Sequence, residues 1–149
     1  MNLEEMTLDV EQQIEVEGAI EDVFKSVLNR FGKGLTKPDG ERLNMNIEEF
    51  AGGRWYRDLG DGAQYLWGHV QVIKAPTLLE LSGPMFMSYP AINHVEIKLD
   101  DAEGSTKVTL RHRAIGLLDP THKENVTTGW ATILGSVKSD FGKAQSTPA

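Results

Sequence analysis

Apolar and polar positions alternate along the first stretch of the chain. Leu8, Val10, Ile14 and Val16 share one parity, and Asp9, Glu11, Gln13, Glu15 and Glu17 share the other. Period two over this length predicts a half-buried strand from about Thr7 to Glu17, with only Gln12 interrupting the apolar face. Gly18–Ala19 turns the chain and the period changes. Ile20, Val23, Phe24, Val27, Leu28 and Phe31 recur at helical spacing. Glu21 and Asp22 sit in the first turn, where the helix dipole favours acids. A helix from about Ile20 to Arg30 follows, stopped by Gly32–Lys33–Gly34.

The middle of the chain reads as a meander. Lys37–Pro38–Asp39–Gly40 has turn chemistry, so Gly32 to Arg42 is expected to be a loop. Asn44 to Phe50 predicts a short strand, and the paired Gly52–Gly53 a bulge or a close backbone approach. Arg54 to Asp58 and Gln64 to Lys74 are strands joined at Gly60–Asp61–Gly62, an Asp-Gly hairpin signal. Strict alternation puts Leu66, Gly68, Val70 and Val72 on one face of the second strand, and Tyr65, Trp67, His69 and Gln71 on the other. Ala75–Pro76–Thr77 turns into a strand from Leu78 to Ser82 with Leu79 and Leu81 inward. Gly83 to Ala91 is a loop, although Met85, Phe86, Met87 and Tyr89 are too apolar for an idle one. They are expected to lid a cavity, to bury a dimer contact, or to fold back on the first helix. His94 to Leu99 and Lys107 to Ala114 form a hairpin, with Val95, Ile97 and Leu99 on one strand and Val108, Leu110 and His112 on the other facing inward.

The last element is a helix. Val126, Trp130, Ile133, Leu134, Val137 and Phe141 recur at steps of three and four, which predicts an amphipathic helix from Asn125 to Phe141. Ile115 to Glu124 is a connector, and Gly142 to Ala149 a frayed tail. Gly129 costs helix stability, which implies a packing reason such as close approach of the sheet. The order is therefore strand, helix, about six antiparallel strands and a long helix. A sheet with one apolar face and helices on one side of it makes an α+β fold. Two helices seldom fill such an interface completely, and the gap is where a ligand goes.

Composition narrows the classes of function. A chain of 149 residues is expected to form one domain, with its core from about residue 7 to 141. The net charge of −7 and the lack of any basic run longer than Arg111–His112–Arg113 argue against nucleic acid. No segment is apolar over the ~18 residues a membrane span needs. There is no cysteine, and Met1 to Val10 is acidic and unlike a signal peptide, so the expected compartment is the cytoplasm.

Several motifs, in order, carry a resemblance. Ile14 to Phe24, IEVEGAIEDVF, resembles the opening strand and helix of the START-like superfamily, which includes the birch-pollen allergen fold. Gly52–Gly53–Arg54–Trp55, Gly68 to Ile73, Thr106 to Arg113, and Gly129–Trp130 with Leu134 resemble its branch named after the activator of heat-shock protein 90 ATPase. Ile20 stands where many relatives have proline, a position that favours proline without requiring it. The resemblance spans roughly Thr7 to Phe141. It implies a helix-grip fold: a curved antiparallel sheet of about seven strands wrapped on the long C-terminal helix, with a cavity between them. Relatives include lipid and polyketide binders, cyclases, hydrolases and co-chaperones. The eukaryotic co-chaperones carry a separate domain ahead of this one, and a first strand beginning near Thr7 leaves no room for it.

The candidate site follows from the inward positions. Trp55, Tyr65, Leu81, Phe86, Val95, Ile97, Leu110, His112, Trp130, Ile133, Leu134 and Val137 are the expected ligand-contacting residues. His112 is the sole catalytic candidate, an imidazole able to orient a ligand or shuttle a proton. Its plainer alternative is a buried histidine satisfied by its neighbours. His69, His94, His112 and His122 have no metal-binding spacing, and no nucleophile elbow or phosphate loop is present. No cofactor is implied. The readings, in order, are a binder of a small apolar or aromatic molecule, a cyclase or hydrolase using His112, and an interaction protein for a chaperone ATPase. A homodimer is the expected protein contact.

Overall fold

The computed structural model describes residues 2–146. Its elements are β1 (Thr7–Val16), α1 (Ile20–Phe31), β2 (Met45–Ile47), β3 (Arg54–Gly60), β4 (Ala63–Lys74), β5 (Leu78–Gly83), β6 (Ala91–Asp101), β7 (Thr106–Gly116) and α2 (Pro120–Ser146). The strands form one seven-stranded sheet in the order β1-β7-β6-β5-β4-β3-β2, every pair antiparallel. Both helices cover one face, giving the α+β helix-grip fold expected from the pattern. β1 pairs with the last strand, so the chain's start closes beside β7 while β2 forms the other edge.

The core follows the periodicities. Val23, Phe24, Val27, Leu28 and Phe31 of α1 are buried, as are Val126, Trp130, Leu134 and Val137 of α2. They meet Leu79, Leu81, Val95, Ile97, Leu99, Val108 and Leu110 of the sheet. Gln12, the polar interruption of the first strand, donates from Nε2 to the Thr127 carbonyl of α2 at 2.8 Å, so an apparent flaw ties sheet to helix. At the far end of the helices Asp140 accepts from Ser26 at 2.7 Å and pairs with Arg30.

Several boundaries differ from the sequence expectation; β6, for one, runs from Ala91 to Asp101 and not only from His94 to Leu99. β2 is only Met45–Ile47, because Gly53 folds back so closely that a Cβ there would sit 2.1 Å from the Glu48 carbonyl oxygen. α2 begins at Pro120 and not near Asn125. Asp119 caps it: its Oδ1 accepts from the Thr121 N–H at 2.8 Å, and Pro120 takes the first helical position, where no N–H is needed. α2 also continues to Ser146, and residues 147–149 of the expected tail lie outside the described residues.

The faces of β4 are the largest departure. Tyr65 and Trp67 point inward and Leu66 is exposed, as alternation allows, but Val70 turns inward with them, which strict alternation does not allow. Trp55 pairs with Gly68 and Tyr56 with Leu66, so Trp67 is an extra residue, a bulge. Val70 pairs with Leu81 and Val72 with Glu80, which makes Gln71 a second extra residue. Each extra residue resets the parity, and Val70 and Ile73 therefore face the core along with Tyr65 and Trp67.

Candidate functional site

Sheet and α2 do not close completely. A cleft of about 240 Å³ remains between them and the Leu35–Leu43 segment. From α2 it takes His122, Asn125, Val126, Gly129, Trp130 and Ile133, steps of three and four that form one helical face. Trp55 and Trp67 come from β3 and β4, and Met85 and Phe86 from the loop after β5. Leu35, Thr36, Lys37, Pro38 and Leu43 complete the rim. All three tryptophans of the chain line this one cleft. Larger hollows of about 440 and 560 Å³ lie beside β2 and beside the start of α2, but neither is lined by an aromatic ring.

The rings form a continuous arc. Tyr89 stacks on His122 with centroids 5.6 Å apart, His122 meets Phe86 at 5.0 Å, Phe86 meets Trp67 at 5.8 Å, and Trp67 meets Trp55 at 5.3 Å. Trp55 then contacts Phe31 at 6.0 Å, and Phe31 stacks on Trp130 at 5.7 Å. The arc leaves α2 at His122 and returns to it at Trp130, about 12 Å along the helix at ~1.5 Å per residue. Edge-to-face and offset contacts of this kind hold ring positions while leaving apolar faces available.

Behind the arc runs a buried polar relay. The Trp130 indole N–H donates to His112 Nδ1 at 2.9 Å. An indole nitrogen can only donate, so Nδ1 is an acceptor and a neutral His112 carries its proton on Nε2. That proton goes to Asn93 Oδ1 at 2.6 Å. Asn93 Nδ2 in turn reaches the carbonyls of Gly83 and Pro84, each at 3.2 Å. His112 and Asn93 are fully buried. Burial pushes the imidazole pKa down to about 4, so the ring is neutral at ordinary pH. The relay links α2 through β7 and β6 to the base of the Gly83–Ala91 loop. There Met85 adopts φ +56°, a left-handed conformation uncommon outside glycine, and its N–H bonds the Trp67 carbonyl at 2.7 Å.

The structure divides the expected site residues. Trp55, Phe86, Trp130 and Ile133 line the cleft. Leu81, Val95, Ile97, Leu110, His112, Leu134 and Val137 lie in the packed core behind it, their surface already consumed by neighbours. Tyr65 packs against that core without reaching the cleft. Both ring nitrogens of His112 are engaged, and their partners are an indole and an amide, neither titratable. The Gly83–Ala91 loop does not fold back on α1. Met85 and Phe86 wall the cleft, and Met87 packs with Ala114 and Leu118. Gly129 is no close approach of the sheet, since a Cβ there would meet nothing within 4 Å.

The sequence pattern does not single out Trp67, Asn93 or His122 as site residues. Trp67 shares its parity with Tyr65, but parity alone does not say which face of the strand is inward. His122 falls in the expected connector, although the Asp119–Pro120 cap signature extends the helix and sets His122, Val126 and Trp130 four residues apart on one face. Among the described residues two buried side-chain polar atoms have no hydrogen-bond partner, Tyr65 OH and Trp67 Nε1, and of the two only Trp67 belongs to a residue bordering the cleft. Among the described residues no cluster of three or more His, Asp or Glu is placed to hold a metal ion, and no helix is long and apolar enough to cross a membrane.

A seven-stranded sheet gripping a long C-terminal helix, with an aromatic cleft between them, defines a START-like helix-grip domain. The family described as activator of Hsp90 ATPase homolog 1-like protein matches residues 26–141, and the chain belongs to that family. No protein of curated function matches it in sequence. Solved structures share the fold at low identity. Protein CV1439 from Chromobacterium violaceum superposes with a TM-score of 0.68 at 13% identity, over 89% of this chain and 96% of that one. The Aha1 dimer from Colwellia psychrerythraea gives 0.62 at 15%, over 90% and 96%. The di-domain ARO/CYC StfQ of the steffimycin biosynthetic pathway gives 0.66 at 11%, over 97% of this chain but 54% of its own. This chain thus spans about half of that protein.

Proposed function

We propose that the protein binds a small, largely apolar molecule in the cleft between the sheet and α2. The observation that carries this reading is the aromatic arc around an unfilled volume of about 240 Å³. A concave, largely apolar surface with a few polar groups at its rim is the kind of site that small molecules occupy. At ~30 Å³ per water it is room for about eight waters, or roughly ten non-hydrogen ligand atoms. A carrier or sensor role fits better than an enzyme, because the one catalytic candidate in the sequence is saturated behind the wall.

Tryptophan fluorescence tests this directly, since every tryptophan of the chain reports on the cleft. Titration with small non-absorbing apolar compounds, such as cyclohexanol and its alkylated analogues, is expected to shift the emission saturably. Native mass spectrometry of the purified protein provides an independent readout, as a retained guest adds its mass to 16.5 kDa. No saturable shift with any compound, together with a bare mass, would refute the reading.

A further inference from the structure

We infer that the guest of this cleft is a small apolar acid, with its ring or branched chain against the aromatic arc and its carboxylate at the rim between Lys37 and His122. The inference rests on the cleft being the binding site and adds the chemistry of its occupant. First, the lining holds no Asp or Glu, although the chain has 22 acidic residues against 15 Lys and Arg. Its ionisable members are Lys37 and His122 alone. The molecule's net charge repels anions at long range, yet the nearest side chains at this rim do the opposite, and salt screens the distant charges first.

Second, His122 is held as a donor. The Asp119 N–H donates to the Tyr89 hydroxyl oxygen at 3.2 Å, and that hydroxyl lies 2.9 Å from His122 Nδ1. The hydroxyl proton needs an acceptor, and Nδ1 is the one in reach. A neutral His122 accepting at Nδ1 carries its own proton on Nε2. Nε2 makes no hydrogen bond among the described residues, and the ring is fixed by stacking on Tyr89 and by its edge contact with Phe86. It is a positioned N–H on the cleft wall awaiting an acceptor.

Third, the wall contains another orphan donor. Trp67 is nine-tenths buried, borders the cleft, and leaves its indole N–H unpaired, whereas Trp55 donates to the Phe31 carbonyl and Trp130 to His112. Buried donors are rarely left without a partner. The Trp67 nitrogen itself is sealed from the cleft, so the donor a guest can meet is the His122 N–H, which a purely hydrocarbon guest would leave without an acceptor and an oxygen-bearing one would answer. Lys37 is half-buried, and its only ion pair among the described residues is a loose 3.7 Å contact with the exposed Glu41. It can exchange that partner for a ligand carboxylate, which at the rim keeps part of its hydration and avoids the cost of full burial.

The test compares three probes of one shape and different charge. Isothermal titration calorimetry of the full chain at pH 7.5 and low salt is run with cinnamate, cinnamyl alcohol and cinnamylamine. Cinnamate is expected to bind about ten-fold more tightly than the alcohol, and the amine most weakly. Lys37→Ala and His122→Phe are each expected to shrink the acid-to-alcohol ratio several-fold. Far-ultraviolet circular dichroism of each variant, expected to match the parent, serves as the control for folding. Equal affinities for acid and alcohol, or a ratio unmoved by both substitutions, overturn the inference while leaving the cleft reading standing. Failure of all three probes to bind overturns both.

Discussion

The relay through His112 makes a quantitative prediction about acid stability. The imidazole is held neutral, with its pKa lowered from 6.5 to about 4 by burial. A depressed histidine pKa means that the unfolded chain takes up a proton which the folded chain refuses. The contribution is fully present above pH 6.5 and is lost as the pH falls from 6.5 toward 4. A tenfold difference in proton affinity is worth about 1.4 kcal/mol, so the whole window amounts to about 3 kcal/mol. By pH 5 the loss from this one group is about 2 kcal/mol. Replacing His112 with leucine removes the titration and also orphans two buried groups, the Trp130 N–H and the Asn93 Oδ1. At ~1–3 kcal/mol for each unsatisfied group, the variant should lose about 4 kcal/mol at pH 7.5. The assay is urea unfolding of both proteins at pH 7.5, 6.5, 5.5 and 5.0, followed by far-ultraviolet circular dichroism. The stability gap between them should narrow by about 2 kcal/mol between pH 7.5 and 5.0. The carboxylates held low by arginine, Asp9 by Arg111 and Glu48 by Arg54, titrate alike in both proteins and cancel in the difference. A gap that stays constant over this range would refute the claim that His112 is folded neutral. A loss below about 1 kcal/mol at pH 7.5 would refute the claim that its two bonds matter.

Further predictions separate the wall of the cleft from the core behind it. Gly129→Ala should stabilise the protein by about 1 kcal/mol, since alanine is the better helix former and its methyl meets open space; urea unfolding would show it, and a destabilised variant would contradict the packing. Trp67→Phe removes an orphan donor while keeping a ring, so its stability should stay within about 1 kcal/mol of the parent. Trp130→Phe, by contrast, strips a bond from His112 and should cost about 2–3 kcal/mol in the same measurement; equal losses in the two variants would show that the indole bonds carry no weight.

Much of the fold is legible in the sequence because its periodicities are local. β1, α1, the β6–β7 hairpin and the inward row ending in His112 each follow from a repeat that a few residues establish. The cleft is less legible because it depends on where repeats break. Trp67 and Gln71 are extra residues in β4, and nothing in the alternation of Gln64 to Lys74 announces them: they arise from pairing with Trp55 and Leu81, which are distant in sequence. The aliphatic members of the expected site do face inward, but inward positions deep in a sheet meet side chains while only those near one end meet the gap. Parity distinguishes faces and cannot distinguish depth. Asn93 escapes notice for a related reason: its strand extends beyond His94, and a polar residue at its start is indistinguishable from a turn residue until His112 is seen across the sheet.

The placement of polar groups explains why a core can hold a gap without collapsing into it. The relay on the closed side is saturated: Trp130 is bonded to His112, His112 to Asn93, and Asn93 to the base of the loop. Trp55 is likewise tied to the end of α1 through Phe31. These bonds hold the rings of the arc from behind, so that moving a ring into the cleft would break a buried hydrogen bond at ~1–3 kcal/mol. On the cleft side, His122 Nε2 makes no hydrogen bond among the described residues. Gly129 meanwhile leaves the α2 wall without a side chain where any other residue would begin to fill the space. The bonded rings behind the wall, together with the missing side chain at Gly129, keep the cleft from closing.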